Sequence, residues 1–367
     1  MRILLLAGEE SGVMYAERIA EALREKRPSA EIRGYGDYGF RTGDLAVMGF
    51  GQVLRRIFYF LGVKRTMEQA IDAWKPDVVC TVDYPGLNLK LAAYAKRKGI
   101  RTVHVVCPQV WAWKKGRIPK IEAALDRLCC FFPFEPGLFK PGFAEFVGHP
   151  LVDAFASEVK VRGEGEQRKG KILALLPGSR LGEIEKHMPT LLEVVETLQS
   201  EIRDLRVVIP AANERAYVAI SSLVDSGGEG TRRPTVVVTH GGARKALRDA
   251  DAAVVASGTA TLEAALAGCP TVLVYKVGWL FAFLARRFIR GVRHIGLANI
   301  IAEKSGAECP MPELLQEDFT VDAVTQRLLP LLTDVAANAE ARQALATTVA
   351  LLESDGGAIE RIARLLA

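Results

Sequence analysis

The sequence is poor in the residues that most often announce a stapled scaffold or a metal site. Its 367 residues include only six cysteines and five histidines. Cys80, Cys107, Cys129, Cys130, Cys269 and Cys309 form no C-x-x-C pair, and they lie in or beside apolar runs. That excludes a disulfide framework and the usual zinc spacings, and leaves buried, reduced thiols. Charge of one sign is not concentrated either: 48 Lys and Arg against 43 Asp and Glu leave a net +5. Such a balance suits an anionic ligand or an anionic lipid surface, but it lacks the dense basic signature of a nucleic-acid binder. Long apolar runs are also missing. The nearest approach to the roughly 18 apolar residues of a spanning helix is Val277–Leu284, soon followed by Arg286, Arg287 and Arg290. The apolar start is too short for a signal sequence, turns charged at Glu9 and Glu10, and reads as a first strand.

What is present is alternation. Short β-branched runs at Arg2–Ala7, Glu31–Tyr35, Val78–Val82, Thr102–Val106, Leu128–Phe132 and Phe146–Val147 are separated by helical patterns such as Met14–Arg24, Leu61–Trp74 and Leu87–Lys98. A second series follows at Ile172–Leu176, Arg206–Pro210, Thr235–Thr239, Ala252–Ala256 and Thr271–Tyr275. Its helical patterns include Glu183–Glu201, Glu214–Val224, Ala243–Arg248 and Thr259–Ala267. Strands alternating with helices predict parallel sheets covered on both faces. The charged stretch Ser157–Lys171 has no apolar period and separates the two series. The expected architecture is two Rossmann-like domains, 1–160 and 171–336, with sheets facing a central cleft. The C-terminal 337–367 would return to the first domain. Ligands on such sheets bind beyond the carboxyl ends of the strands.

Four strand ends carry candidate chemistry. Val254–Ala256 runs into Ser257-Gly258-Thr259-Ala260-Thr261-Leu262-Glu263, a junction where free N–H groups and a helix dipole suit a diphosphate. Glu263 would accept from ribose hydroxyls; the plainer reading, a capping-box acid, wants Ser or Thr where Ala260 stands. Leu176-Pro177-Gly178-Ser179-Arg180 repeats the design, with Arg180 placed for phosphate oxygens or for a surface pair. Asp83, after Val78–Val82, is either a general base or the organiser of the Tyr84-Pro85-Gly86 turn. Cys107-Pro108-Gln109-Val110-Trp111-Ala112-Trp113 is either a sugar-phosphate platform or a pair of indoles covering the core. His149 is open in the same way. Asp249-Ala250-Asp251 has the form of a D-x-D metal motif but precedes its strand, on the wrong sheet edge. No metal or cofactor is expected. Leu54–Arg65 and Lys276–His294 join aromatics to positive charge, as helices on an anionic bilayer do, or as core stripes with basic rims do.

Taken together the chain resembles the lipid-A-disaccharide synthases, a family of GT-B glycosyltransferases. The matching segments are Gly8-Glu9-Glu10-Ser11-Gly12, Ala46-Val47-Met48-Gly49, Val82-Asp83-Tyr84-Pro85, Pro108-Gln109-Val110-Trp111-Ala112-Trp113 and Pro133-Phe134-Glu135. Val147-Gly148-His149-Pro150, Leu176–Arg180, Ser257–Glu263 and Leu314-Leu315-Gln316-Glu317 follow in the family's order. The resemblance implies an inverting, metal-independent enzyme on the cytoplasmic side, peripheral to the inner membrane. It would join UDP-2,3-diacylglucosamine to 2,3-diacylglucosamine 1-phosphate through a β-1,6 bond and release UDP. It implies Asp83 as the catalytic carboxylate. Gly178, Ser179, Arg180, Ser257, Gly258, Thr259, Thr261 and Glu263 would hold UDP, with Asn299 and Gln316 nearby. On the acceptor side it implies Glu9, Ser11, Gly12, Met48, Gln109, Trp111, Trp113 and His149. Val13 and Gly86 stand where Asp is common, Cys107 where Ser is usual, and Ala298 where Pro precedes Asn299, so departures are expected mainly in acceptor handling. A different lipid acceptor, a UDP-sugar epimerase and a non-catalytic UDP-sugar-binding relative are the alternatives.

Overall fold

The computed structural model describes residues 1–40, 53–112, 115–158, 170–226, 236–278 and 293–367. They form two compact units, Met1–Asp153 with Leu352–Ala367, and Ala154–Leu351.

The first unit has six parallel strands in the order β2-β1-β3-β4-β5-β6: β1 Arg2–Ala7, β2 Glu31–Arg33, β3 Val78–Val82, β4 Arg101–Val105, β5 Arg127–Cys130 and β6 Ala144–Phe146. Around them lie α1 Glu10–Lys26, α2 Val53–Trp74, α3 Pro85–Arg97, α4 Ile118–Ala124 and the start of α5 Pro150–Glu158. The period of two along β1 explains the two layers. Ile3 and Leu5 pack with Ile19 and Leu23 of α1, while Leu4 and Leu6 pack with Met67 and Ile71 of α2 and Leu91 of α3. A strand buried on both faces must be apolar throughout its buried part, which Ile3–Ala7 supplies after the exposed Arg2.

The second unit repeats the plan in the order β12-β11-β10-β7-β8-β9: β7 Lys171–Leu176, β8 Leu205–Ala211, β9 Val236–His240, β10 Ala252–Ala256, β11 Thr271–Tyr275 and β12 Glu313–Leu315. Its helices are α6 Leu181–Glu201, α7 Glu214–Asp225, α8 Ala243–Asp249, α9 Thr259–Leu266, α10 Leu297–Lys304, α11 Val321–Thr333 and α12 Val335–Ala350. Leu175 and Val254 face α6 and α11, and Ala174, Leu176 and Val255 face the opposite layer. Strand β12 escapes a reading by pattern because it is three residues long and follows Pro310 and Pro312.

The boundaries differ from those expected in two places. Helix α5 runs to Glu158, into the stretch expected to separate the domains, and the first unit ends within it at Asp153; Leu151, Ala154 and Phe155 are all buried. Helix α12 belongs to the second unit, where Leu345 joins the Ala246 and Cys269 core. Only Leu352–Ala367 returns to the first unit, as α13 Ala358–Leu366. There Ile362, Ala363 and Leu366 enter the β1–α1 core. The Arg101 guanidinium donates to Leu365 O at 2.6 Å, and Asp153 accepts from Ala358 N at 2.8 Å. Among the described residues no helix is long and apolar enough to cross a membrane.

Ile362 and Leu366 are fully buried, so truncation of either to Ala should cost about 2–5 kcal/mol of stability. A denaturant midpoint unchanged in both variants would mean that the returning helix contributes nothing to the first unit.

Candidate functional site

In the second unit three strand-to-helix turns converge on one cavity of about 460 Å³. The first follows β7. Gly178 holds φ +116°, and a Cβ there would lie 2.5 Å from Glu183 Oε2 and 2.9 Å from Glu183 Cβ, so only glycine fits. Glu183 sits in the first turn of α6 and accepts from the Arg180 guanidinium at 2.9 Å. The Arg180 side chain is 72% exposed, so this pair is weak and the guanidinium can leave it for a phosphate. The second turn follows β10: Gly258 caps α9 at φ +144°. Thr261 Oγ1 donates to Gly258 O at 2.8 Å and accepts from Leu297 N at 3.1 Å, while Ser257 Oγ donates to Ile295 O at 3.2 Å. Thr261 therefore shapes the turn, and Ser257 and Thr259 line the cavity.

The third turn was not read from the sequence. Gly241 and Gly242, at φ +65° and +80°, end β9 and open α8, and both line the cavity. A Gly-Gly pair between a β-branched run and a helical pattern was the available signal. Helix α8 also supplies Arg244, whose Nε meets Glu263 Oε1 at 3.1 Å and whose guanidinium lies 5.1 Å from the Phe155 ring. Glu263 is thus a braced wall residue rather than a capping acid. Three helix N-termini facing one cavity give a field suited to a diphosphate.

Asn299 is fully buried. Its amide donates to Met311 O at 2.7 Å and to Glu313 Oε1 at 2.8 Å and accepts from Met311 N at 3.0 Å, which makes it a brace behind the wall. Gln316, at φ +54°, sets its amide against the Val277 backbone, where the orientation that satisfies both amide atoms donates to Val277 O at 3.2 Å and accepts from Val277 N at 3.3 Å. Asp249 pairs with Lys245, and Asp251 accepts from Ile172 N at 2.8 Å, so the D-x-D pair anchors the start of β7, away from the cavity. A second cavity, lined by Arg206, His240, Lys245 and Asp249 among others, adjoins Gly241.

In the first unit Asp83 ends β3 in the left-handed region, φ +50°, with Tyr84 at +49°. Asn88 holds the bend by donating to Asp83 O at 2.8 Å and Val82 O at 3.1 Å, and Tyr35 Oη donates to Asn88 Oδ1 at 2.7 Å. Gly8 gives way to the Tyr84 ring, since a Cβ would lie 2.5 Å from it, and Gly12 passes beneath Val82 O. Burial raises the Asp83 carboxyl, offset by the Tyr84 N–H at 2.8 Å. Glu9 is raised as well, by burial first and by the Asp83 charge second. Ser11 and Gln109 are exposed beside these turns. Val13 packs its side chain partly into the α1 core, and nothing lies within 4 Å of a Cβ at Gly86.

Two acceptor-side candidates lie inside the fold. Trp111 is buried and donates from Nε1 to Glu135 Oε1 at 3.1 Å, so it is no open platform. His149 is buried between Phe131 and Phe132, accepts from Leu151 N at 3.1 Å, and is pushed down to about 3 by desolvation. It is a neutral core imidazole. Met48, Trp113, Arg286, Arg287 and Arg290 lie outside the described residues. In the Leu54–Arg65 segment Tyr59 and Phe60 turn toward the core, leaving Leu61 exposed.

Chain spacing also hid a buried trio. Val106, a β-branched residue at φ +76°, turns Cys107 into the layer that holds Cys130. The thiols of Cys107 and Cys130 and a Glu135 oxygen lie within 4.8 Å of one another. Burial lifts Glu135 to about 8, and the neighbouring Cys130 thiol together with burial raises Cys107, so Glu135 and Cys107 both favour their protonated forms. Because the folded-state value of Glu135 exceeds its ordinary 4.5, its stabilisation is complete below pH 4.5 and fades as pH rises through 8. Glu135→Gln should therefore remove part of the loss of stability between pH 5 and 8.5. Parallel stability–pH curves for the two proteins would contradict this.

Residues 3–358 match the family model described as lipid-A-disaccharide synthetase. The lipid-A-disaccharide synthase of Burkholderia mallei is 38% identical over 352 residues, covering 91% of this chain and 88% of that one. That of Syntrophus aciditrophicus is 34% identical over 345 residues, covering 90% and 88%. Among solved structures, the glycotransferase of kitacinnamycin superposes with a TM-score of 0.64 at 15% identity, covering 100% of this chain and 97% of that one. Acinetobacter baumannii MurG gives 0.57 at 13%, covering 99% and 98%. These neighbours share the GT-B fold expected from the sequence. By match over nearly its whole length, the chain belongs to the lipid-A-disaccharide synthase family.

Proposed function

We propose that the protein transfers the sugar of UDP-2,3-diacylglucosamine to the 6-hydroxyl of 2,3-diacylglucosamine 1-phosphate, forming the β-1,6 disaccharide and releasing UDP. The observation that carries this reading is the three-turn cavity of the second unit in a chain of this family. The diphosphate faces the N-termini of α6, α8 and α9, Arg180 leaves Glu183 to meet it, and Glu263 takes the ribose hydroxyls. Leaving-group charge is then stabilised by preorganised dipoles and one guanidinium.

Asp83 is the general base in this reading. Its partial burial favours the proton-bound form, which makes the ionised carboxylate a stronger base than an ordinary aspartate. It takes the proton of the acceptor hydroxyl as that oxygen attacks the anomeric carbon and the UDP oxygen departs. Glu9, close enough to feel the Asp83 charge, borders the acceptor. The acylated substrates place the enzyme at the cytoplasmic face of the inner membrane, with the basic–aromatic stretch 276–294 as the surface contact. With Val13 and Gly86 in place of common acids, acceptor handling differs from that of most relatives. The open space at Gly86 can accommodate a restored carboxylate.

The direct test is incubation with both acylated sugars and mass detection of the disaccharide. Asp83→Asn keeps the left-handed backbone and the bond from Tyr84 N. It should therefore fold and bind UDP while turnover falls by at least about 10²-fold. In the wild type kcat/KM should fall as pH drops through the raised Asp83 value, because the base must be ionised. Near-normal turnover by the Asn variant would remove Asp83 from the mechanism.

A further inference from the structure

His187 lies on α6, two turns beyond Arg180, and its side chain is fully buried. Both ring nitrogens are engaged. Nδ1 is 2.7 Å from Pro177 O, and Nε2 is 2.9 Å from Lys276 N. A carbonyl can only accept and a backbone amide can only donate, so the imidazole is neutral with its proton on Nδ1. The ring is held in place by Tyr275 and Phe319, each 5.8 Å away between centroids.

The two backbone groups it joins are not arbitrary. Pro177 immediately precedes Gly178 and Ser179, which line the cavity. Lys276 follows β11 and precedes Val277, the residue that Gln316 closes upon. A turn whose pivot is a glycine at φ +116° is conformationally loose on its own. Among the described residues, the three atoms nearest a Cβ built on that glycine all belong to Glu183, which also pairs with the exposed Arg180. Hydrogen bonding from a rigid, packed ring to Pro177 O fixes the turn from behind, while the bond from Lys276 N fixes the ring.

We propose that His187 is a positioning residue for the donor site: its Nδ1–H sets the Pro177–Arg180 turn in the shape that receives the UDP diphosphate. The proposal rests on the donor reading given above. Neither bond reaches the reacting atoms, so its effect falls on donor binding and not on the chemical step.

The experiment measures UDP affinity by calorimetry, and donor KM and kcat, for the wild type and three variants. His187→Leu keeps most of the volume and loses both bonds. His187→Asn carries an amide donor near the Nδ1 position and can restore the bond to Pro177 O. His187→Gln reaches the Nε2 side and restores only acceptance from Lys276 N. Leu and Gln should raise the UDP dissociation constant and donor KM roughly tenfold, the worth of one hydrogen bond to a buried group. Their kcat should stay within about twofold, and Asn should recover most of the donor affinity. Equal UDP binding by Asn and Gln would overturn the proposal even if Leu fails to fold. So would a folded Leu variant with unchanged donor KM, or one that loses kcat and acceptor KM along with donor KM. Failure of the wild type to bind UDP at all would instead remove the donor reading on which the proposal stands.

Discussion

A parallel strand that is covered on both faces must reverse direction abruptly at its carboxyl end, and this constraint organises everything chemical in the molecule. The covering helices leave little room, so the chain bends through the left-handed region. Asp83 and Tyr84 do so after β3, Val106 after β4, Gly178 after β7, Gly241 and Gly242 after β9, and Gly258 at the head of α9. Where the bend must also admit a ligand or a neighbouring side chain, glycine is the residue that fits. At the bend after β3 the side chain is Asp, which tolerates that backbone better than most. The strain is held by local braces: Asn88 behind Asp83, Thr261 behind Gly258, and His187 behind Gly178.

Electrostatics follow from the same geometry. Helices α6, α8 and α9 start at the bends after β7, β9 and β10, and their first residues share one cavity, where the positive ends of their dipoles favour an anion. The cations near it are already paired. Arg180 rests on Glu183, and Arg244 braces Glu263. The two pairs differ in burial and hence in role. The exposed Arg180 can exchange its carboxylate for a phosphate at little cost, whereas the more buried Arg244 keeps Glu263 aimed. A modest net charge thus suffices for a strongly anionic donor.

The layered fold was legible because strands such as ILLLA and AAVVA are continuously apolar and short, while the helices between them carry a 3.6-residue period. The glycine turns after β7 and β10 were legible for the same reason, since the break in pattern falls where the sheet ends. Direction of burial was not. Trp111 and His149 sit in turns that pattern alone leaves open, and only packing against Phe131, Phe132, Phe134 and Glu135 turns them inward. Residues that act through long-range contacts were invisible as well. Arg244 and Glu263 are 19 positions apart, His187 and Lys276 are 89, and Cys107 meets Cys130 only because Val106 bends the wrong way for a strand. The short β12 and α5 escaped because neither has enough residues to show a clear period.

Donor binding at the three turns requires the diphosphate to sit against them. A crystal structure with UDP measures this directly. The diphosphate oxygens should accept from backbone N–H groups at the heads of α6 and α9, with the Arg180 guanidinium swung off Glu183 onto phosphate and Glu263 bonded to the ribose. UDP seated in the neighbouring Arg206–Lys245 cavity, or at the three turns with Arg180 still on Glu183 and Glu263 untouched, would contradict it.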